Sequence, residues 1–218
     1  MRVRGTGLAA GIIALTRAWF IVIPLIVVNA IAQGVLAQLM NFQLASFASI
    51  AATVLSALVL VTPLGILLAA LLQSVNSQVT WASTLHAFGS HWIRFTAWGL
   101  GYLIATFVGF ALAVFPGYLL IALLPYILIA VQAGNAHPWK ANWRTIAMHP
   151  VRWAVVLLLV FIFGTLTYFL LGVMQFFLRG VVGSTAVWLV AGALTSWVLA
   201  SFTATFSSIH TTEPAAQK

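Results

Sequence analysis

Long apolar runs alternate with short segments rich in tryptophan, arginine and histidine along this chain. The pattern is clearest between positions 115 and 156: a Pro116-Gly117 pair, an apolar run, a polar segment with Trp and Arg flanked by histidines, and the entry into another apolar run. Such an order is hard to explain in water. It follows directly if the first run crosses a bilayer, the polar segment lies at its surface and the second run crosses back.

A spanning helix needs about 20 predominantly apolar residues. On that measure the spans fall at about 18–40, 47–72, 92–115, 117–133, 151–178 and 181–207, leaving a short polar tail at 209–218. Pro24 breaks the first span, and Pro63 and Gly65 lie inside the second. Pro116 and Gly117 form the tight turn between the third and the fourth. The expected fold is an all-α integral membrane protein, one polytopic domain over 1–208. It is a bundle of about six transmembrane helices with two or three amphipathic interfacial elbow helices.

The elbows come from an internal repeat. The segment from Trp81 to Phe95 lies over that from Trp139 to Trp153 at a constant offset of 58 (139 minus 81), which pairs Trp81 with Trp139, His91 with His149 and Arg94 with Arg152. A weaker third copy, Ile12 to Phe20, puts Arg17 at the same place before a span. Each copy reads as a short interfacial helix that turns into a span at its arginine. For Arg17 the elbow also avoids a cost of about 2.5–3.5 kcal/mol for an arginine at the bilayer centre.

Composition sharpens this picture. The chain is 63% hydrophobic and 5% charged, against about 25% charged in an ordinary soluble domain. Nine Lys or Arg face one acid, Glu213. The cations stand singly between apolar runs, unlike the clustered surface of a nucleic-acid binder. With six spans, one side of the membrane collects Arg2, Arg4, Arg17, Arg94, Lys140, Arg144, Arg152 and Lys218, and the other only Arg179. The positive-inside rule makes that side, with both termini, cytoplasmic. The basic, apolar N-terminus is read as uncleaved, because Arg17 interrupts its apolar run.

The polar residues restrict the chemistry. One acid cannot supply a carboxylate pair, a triad within the spans or a protonatable carrier acid, and no phosphate loop is present. Cysteine is absent, which removes thiolate ligands and nucleophiles. His86, His91, His137 and His149 fall on one predicted side, but their spacing suits headgroup contact better than zinc. No cofactor or metal is expected. Gly192, Ser196, Ala200 and Ala204 recur every four residues and suit close helix packing. Asn29, Gln33, Thr62, Gln132 and Gln175 either line a polar path or hydrogen-bond between helices.

The Pro116-Gly117 pair, the following span and the Asn142-Trp143-Arg144 element resemble the YciC-like family of bacterial inner-membrane proteins. They are also similar to the membrane domain that precedes some glycerophosphodiester phosphodiesterases. The resemblance covers most of the chain in layout and about 40 positions, 115–156, in residues. In place of that family's distal proline and acidic residue this chain has Pro125, Gln132 and Gly134. The resemblance implies a fold and a bacterial inner-membrane location, and no reaction; the phosphodiesterase activity is not carried over.

The expected function is non-enzymatic: binding of anionic lipid, or of a partner such as a second copy or another membrane protein, on the cytoplasmic face. Trp81, His91 and Arg94 of one elbow would serve it, with Trp139, Lys140, Arg144, His149 and Arg152 of the other. The alternative is a small permease or a membrane subunit of a transporter.

Overall fold

The computed structural model describes residues 7–40, 47–76, 78–112, 114–177 and 180–210. The elements in these residues are all helices: α1 Gly7–Met40, α2 Phe47–Asn76, α3 Trp81–Gly89, α4 Trp92–Leu112, α5 Val114–Leu123, α6 Ile127–Gln132, α7 Pro138–Met148, α8 Pro150–Phe177 and α9 Gly180–His210. Arg2, Arg4, Arg179, Glu213 and Lys218 lie outside the described residues, as do the polar tail from 211 onward and the side chain of Gln175.

Among the described residues three helices are long and apolar enough to cross a membrane: Leu8–Ala37, Ala51–Val75 and Gly180–Ile209. A fourth stretch qualifies when α7 and α8, which meet at 100°, are taken as one bent unit. The described residues are thus all-helical, with three candidate membrane spans that fit a membrane protein.

Three expectations are corrected, two in α1 and one in α5. The elbow at Arg17 does not form, and Pro24 does not break the first span, because α1 runs unbroken through both. Its 34 residues extend about 50 Å at about 1.5 Å per residue, well beyond the roughly 30 Å hydrocarbon layer. The 23 residues beyond Arg17, 18–40, are enough to span, so the helix can carry Arg17 towards the bilayer surface without bending. There its Nη1 donates to the Ser74 carbonyl (3.1 Å) in the last turn of α2, where the helix dipole favours a cation.

The third correction concerns Pro116 and Gly117. They stand in the first turn of α5, so the pair is not itself the turn. An early helical position suits proline, whose missing N–H has no intrahelical acceptor there.

α1 lies antiparallel along α9. A side chain at Gly11 would collide with Ser201, and one at Gly192 with Ile26, the nearest carbon being 2.9 Å from the added Cβ. The stripe of Gly192, Ser196, Ala200 and Ala204 belongs to this internal contact: Ser196, Ala200 and Ala204 are buried, and the two alanines share a core with Ala14, Ala18 and Ile21 of α1 and Leu67 and Leu71 of α2. Gln33 of α1 locks to Ser56 of α2, accepting from its hydroxyl (2.6 Å) and donating to its carbonyl (2.9 Å).

A second core occupies the end of the bundle where α3, α6 and α7 gather. Tyr126, Ile127, Ile129, Ala130 and Val131 in and beside α6 are fully buried against Phe95, Val156, Phe202 and Phe206. Tyr126 sits edge-on to Phe202 (5.1 Å). The core thus holds a six-residue helix wrapped by α4, α7, α8 and α9.

Candidate functional site at the elbow end of the bundle

Both elbows turn at the histidine that the offset of 58 pairs. After α3, which Thr80 and Ser83 cap reciprocally, the His91 N–H donates to the Phe88 carbonyl (3.0 Å) and the His91 carbonyl accepts from Phe95 N–H (2.8 Å). After α7, the His149 N–H donates to the carbonyls of Thr145 and Ile146 (both 3.2 Å), and its carbonyl accepts from Trp153 N–H (3.0 Å). His149 both closes α7 and opens α8, whereas at the first junction Ser90 caps α3 and His91 opens α4. Pro150 enforces the second break: it has no N–H to carry α7 forward and is accommodated as the first residue of α8.

α7 has two unlike faces. Pro138, Ala141, Asn142 and Thr145 are buried, whereas Trp139, Lys140, Trp143, Arg144 and Met148 are exposed. The exposed face divides into a tryptophan stripe at 139 and 143 and a cation stripe at 140 and 144, each with the four-residue spacing of one helical face.

The buried face holds a break in the chain together. Pro125 interrupts the helix between α5 and α6, so the carbonyls of Ala122 and Leu123 lose their usual donors four residues on. Trp153 Nε1 donates to Ala122 (2.9 Å) and Asn142 Nδ2 to Leu123 (2.8 Å). The displaced Tyr126 N–H finds Asn142 Oδ1 at 3.0 Å. Asn142 has 0% exposure, so the pairing is required: an unsatisfied backbone group costs several kcal/mol where no water can reach it.

The other elbow secures the far end of α6. Arg94 Nη2 donates to the carbonyls of Asn135 (2.6 Å) and Ala136 (3.1 Å), and Gln132 Nε2 to Ala87 (3.1 Å). The loop leaves α6 through Gly134 at φ +75°, with the His91 ring over it: a Cβ there would lie 3.0 Å from His91 Nε2. Both arginine bonds use Nη2, the nitrogen common to the two paired edges of the guanidinium; the N–H groups of Nη1 and of Nε, which do not form a fork with one another, have no other partner among the described residues.

The expected site residues thus fall into two groups. Arg94, His91 and His149 are built into the elbows, and Arg152 lies in the first turn of α8, close enough to His149 to act on its titration. Burial first and the Arg152 charge second hold the His149 pKa below the usual imidazole value. Trp81, Trp139, Lys140 and Arg144 point outward. Among the described residues no three His, Asp or Glu converge as metal ligands would.

Sequence reasoning missed the bridging role of Asn142 and the contact of Trp98 with Trp139, whose rings meet edge-on at 6.0 Å. A signal for the first was present: Asn142 lies between Ala141 and Thr145 on the face opposite the Lys/Arg stripe. The polar residues considered for a path are dispersed. Gln33 and Gln132 are hydrogen-bonded between elements, Thr62 is exposed, and Asn29 borders a cavity of about 90 Å3 between α1, α2 and α9.

No protein-family model matches the chain, and neither the curated proteins nor the solved structures contain a match to it.

Proposed function

We propose that this is a non-enzymatic membrane protein of the six-span, YciC-like layout whose elbow end lies in the anionic cytoplasmic leaflet of a bacterial inner membrane and binds anionic phospholipid headgroups. α4, α5 with α6, and α8 complete the spans in this reading, and the two elbows are copies of one repeated unit. One observation carries it: α7 buries its small and polar residues and turns Trp139, Trp143, Lys140 and Arg144 outward. That is the reverse of a soluble surface helix, and it suits an interface where indole rings rest at headgroup depth and cations meet phosphate.

The transporter reading is less well supported. Broken helices in carriers leave their termini open to substrate and ions, whereas the ends beside the α5–α6 break and after α6 are taken by Asn142, Trp153 and Arg94.

Each cation near an anionic leaflet contributes about 1 kcal/mol. With spin-labelled lipids in reconstituted bilayers, the protein should therefore prefer phosphatidylglycerol to phosphatidylcholine. The double variant Lys140→Gln, Arg144→Gln, which removes two such contributions, should lose roughly thirtyfold of that preference. Equal association of both lipids with the unaltered protein would refute the proposal.

A further inference from the structure

Between α4 and α5 lies a crevice of about 410 Å3. Ala97, Gly101 and Ala105 of α4 form one wall, and Leu120 and Leu124 the facing one. Trp98 and Trp139 lie at its elbow end, and Thr106 at the deeper end.

The small residues on α4 do not serve close packing here. Gly99, two residues from Gly101, has Val61 of α2 within 2.8 Å of where a Cβ would stand, but at Gly101 nothing lies within 4 Å. The two neighbouring glycines therefore do opposite things: one admits a helix, the other keeps a space open.

In a bilayer such a space is filled. Its lining is mostly apolar, with Tyr102 and Thr106 among its few polar side chains, and so offers water few partners, and an empty void forfeits dispersion contacts on every wall. At about 30 Å3 for a water-sized group, a methylene being of similar size, the crevice takes roughly a dozen methylenes. From 97 to 106 it extends about 14 Å along α4 at about 1.5 Å per residue, close to half of the roughly 30 Å hydrocarbon layer. A transmembrane helix, about 10–12 Å across, is too thick for it. One acyl chain of one leaflet fits in both length and volume.

The cations supply the other half of the ligand. Arg94 shares the α4 face of Trp98, Gly101 and Ala105, at intervals of four, seven and eleven residues, and its Nη1 N–H groups have no partner among the described residues. Lys140 follows Trp139 on the exposed face of α7.

We infer that this crevice seats one acyl chain of a single anionic phospholipid, with the phosphate held at its mouth by Arg94 and Lys140. The inference rests on the headgroup reading above and adds a defined place and stoichiometry to it.

The test is native mass spectrometry of the full chain released from nanodiscs of mixed phosphatidylglycerol and phosphatidylcholine. The unaltered protein should retain one phosphatidylglycerol. Gly101→Leu and, separately, Ala105→Leu fill the crevice from helical positions, and either one that stays helical by circular dichroism should reduce retention about tenfold. Retention at the original level in both would overturn the crevice, even if Lys140→Gln, Arg144→Gln still lowered headgroup preference. Loss in the crevice variants with no headgroup preference in the unaltered protein would leave a neutral chain seat, overturning the anionic part.

Discussion

Asn142 carries the strongest single-residue argument. Its amide donates to one backbone group orphaned by the Pro125 break and accepts from another. Asn142→Leu, similar in size and apolar, leaves both orphaned at a site with 0% exposure, at about 1–3 kcal/mol each. Its thermal unfolding in detergent should come well below that of the unaltered protein. Asn142→Asp should not recover it, because a carboxylate accepts from Tyr126 N–H but faces the Leu123 carbonyl with an oxygen. Unfolding of Asn142→Leu at the original temperature would mean that the break is held by something else.

Among the elements, the elbows decide how the chain turns. In the second one, His149 is half-buried beside Arg152, and its folded pKa lies below the unfolded one. The sign follows: the folded state binds fewer protons, so this contribution is complete above the unfolded value of about 6.5 and is lost as pH falls from there through the lower folded value. Between about pH 7.5 and about pH 5.5 the unaltered protein should lose more thermal stability than His149→Gln. Identical losses would remove His149 as the cause.

The elbows also mark what the sequence made legible. Trp81 to Phe95 and Trp139 to Trp153 announced a helix break in each segment, expected at Arg94 and Arg152 and found three residues earlier, at His91 and His149, since a Trp/Arg-bearing segment beside an apolar run has few other places to lie. The all-helical class was readable from the apolar runs, but the start of α1 at Gly7 and the split of 117–133 into α5 and α6 were not. The Arg17 elbow was not readable, because its alternative depended on a carbonyl 57 residues away, at Ser74. Likewise, Pro116-Gly117 reads as a turn by local preference, whereas the first turn of a helix tolerates the same proline. The crevice had no sequence signal, since small residues at Ala97, Gly101 and Ala105 look identical whether a helix or a space lies over them.

For the whole molecule, the packing orients the bundle. Arg17, the two elbows, α6 and the C-terminal turns of α9 gather at one end, around the buried Tyr126 and Phe206. That end must lie at a membrane surface if the exposed tryptophans and cations of α7 are to have suitable surroundings. The chain contains no cysteine, so a single introduced thiol can be labelled without background. The most direct measurement is the depth of a nitroxide attached at Trp143→Cys in bilayers containing phosphatidylglycerol. The account predicts a label within about 5–10 Å of the headgroup–acyl boundary, on the side that carries the elbow cations. A label at the bilayer midplane, or one freely in bulk water, would contradict it.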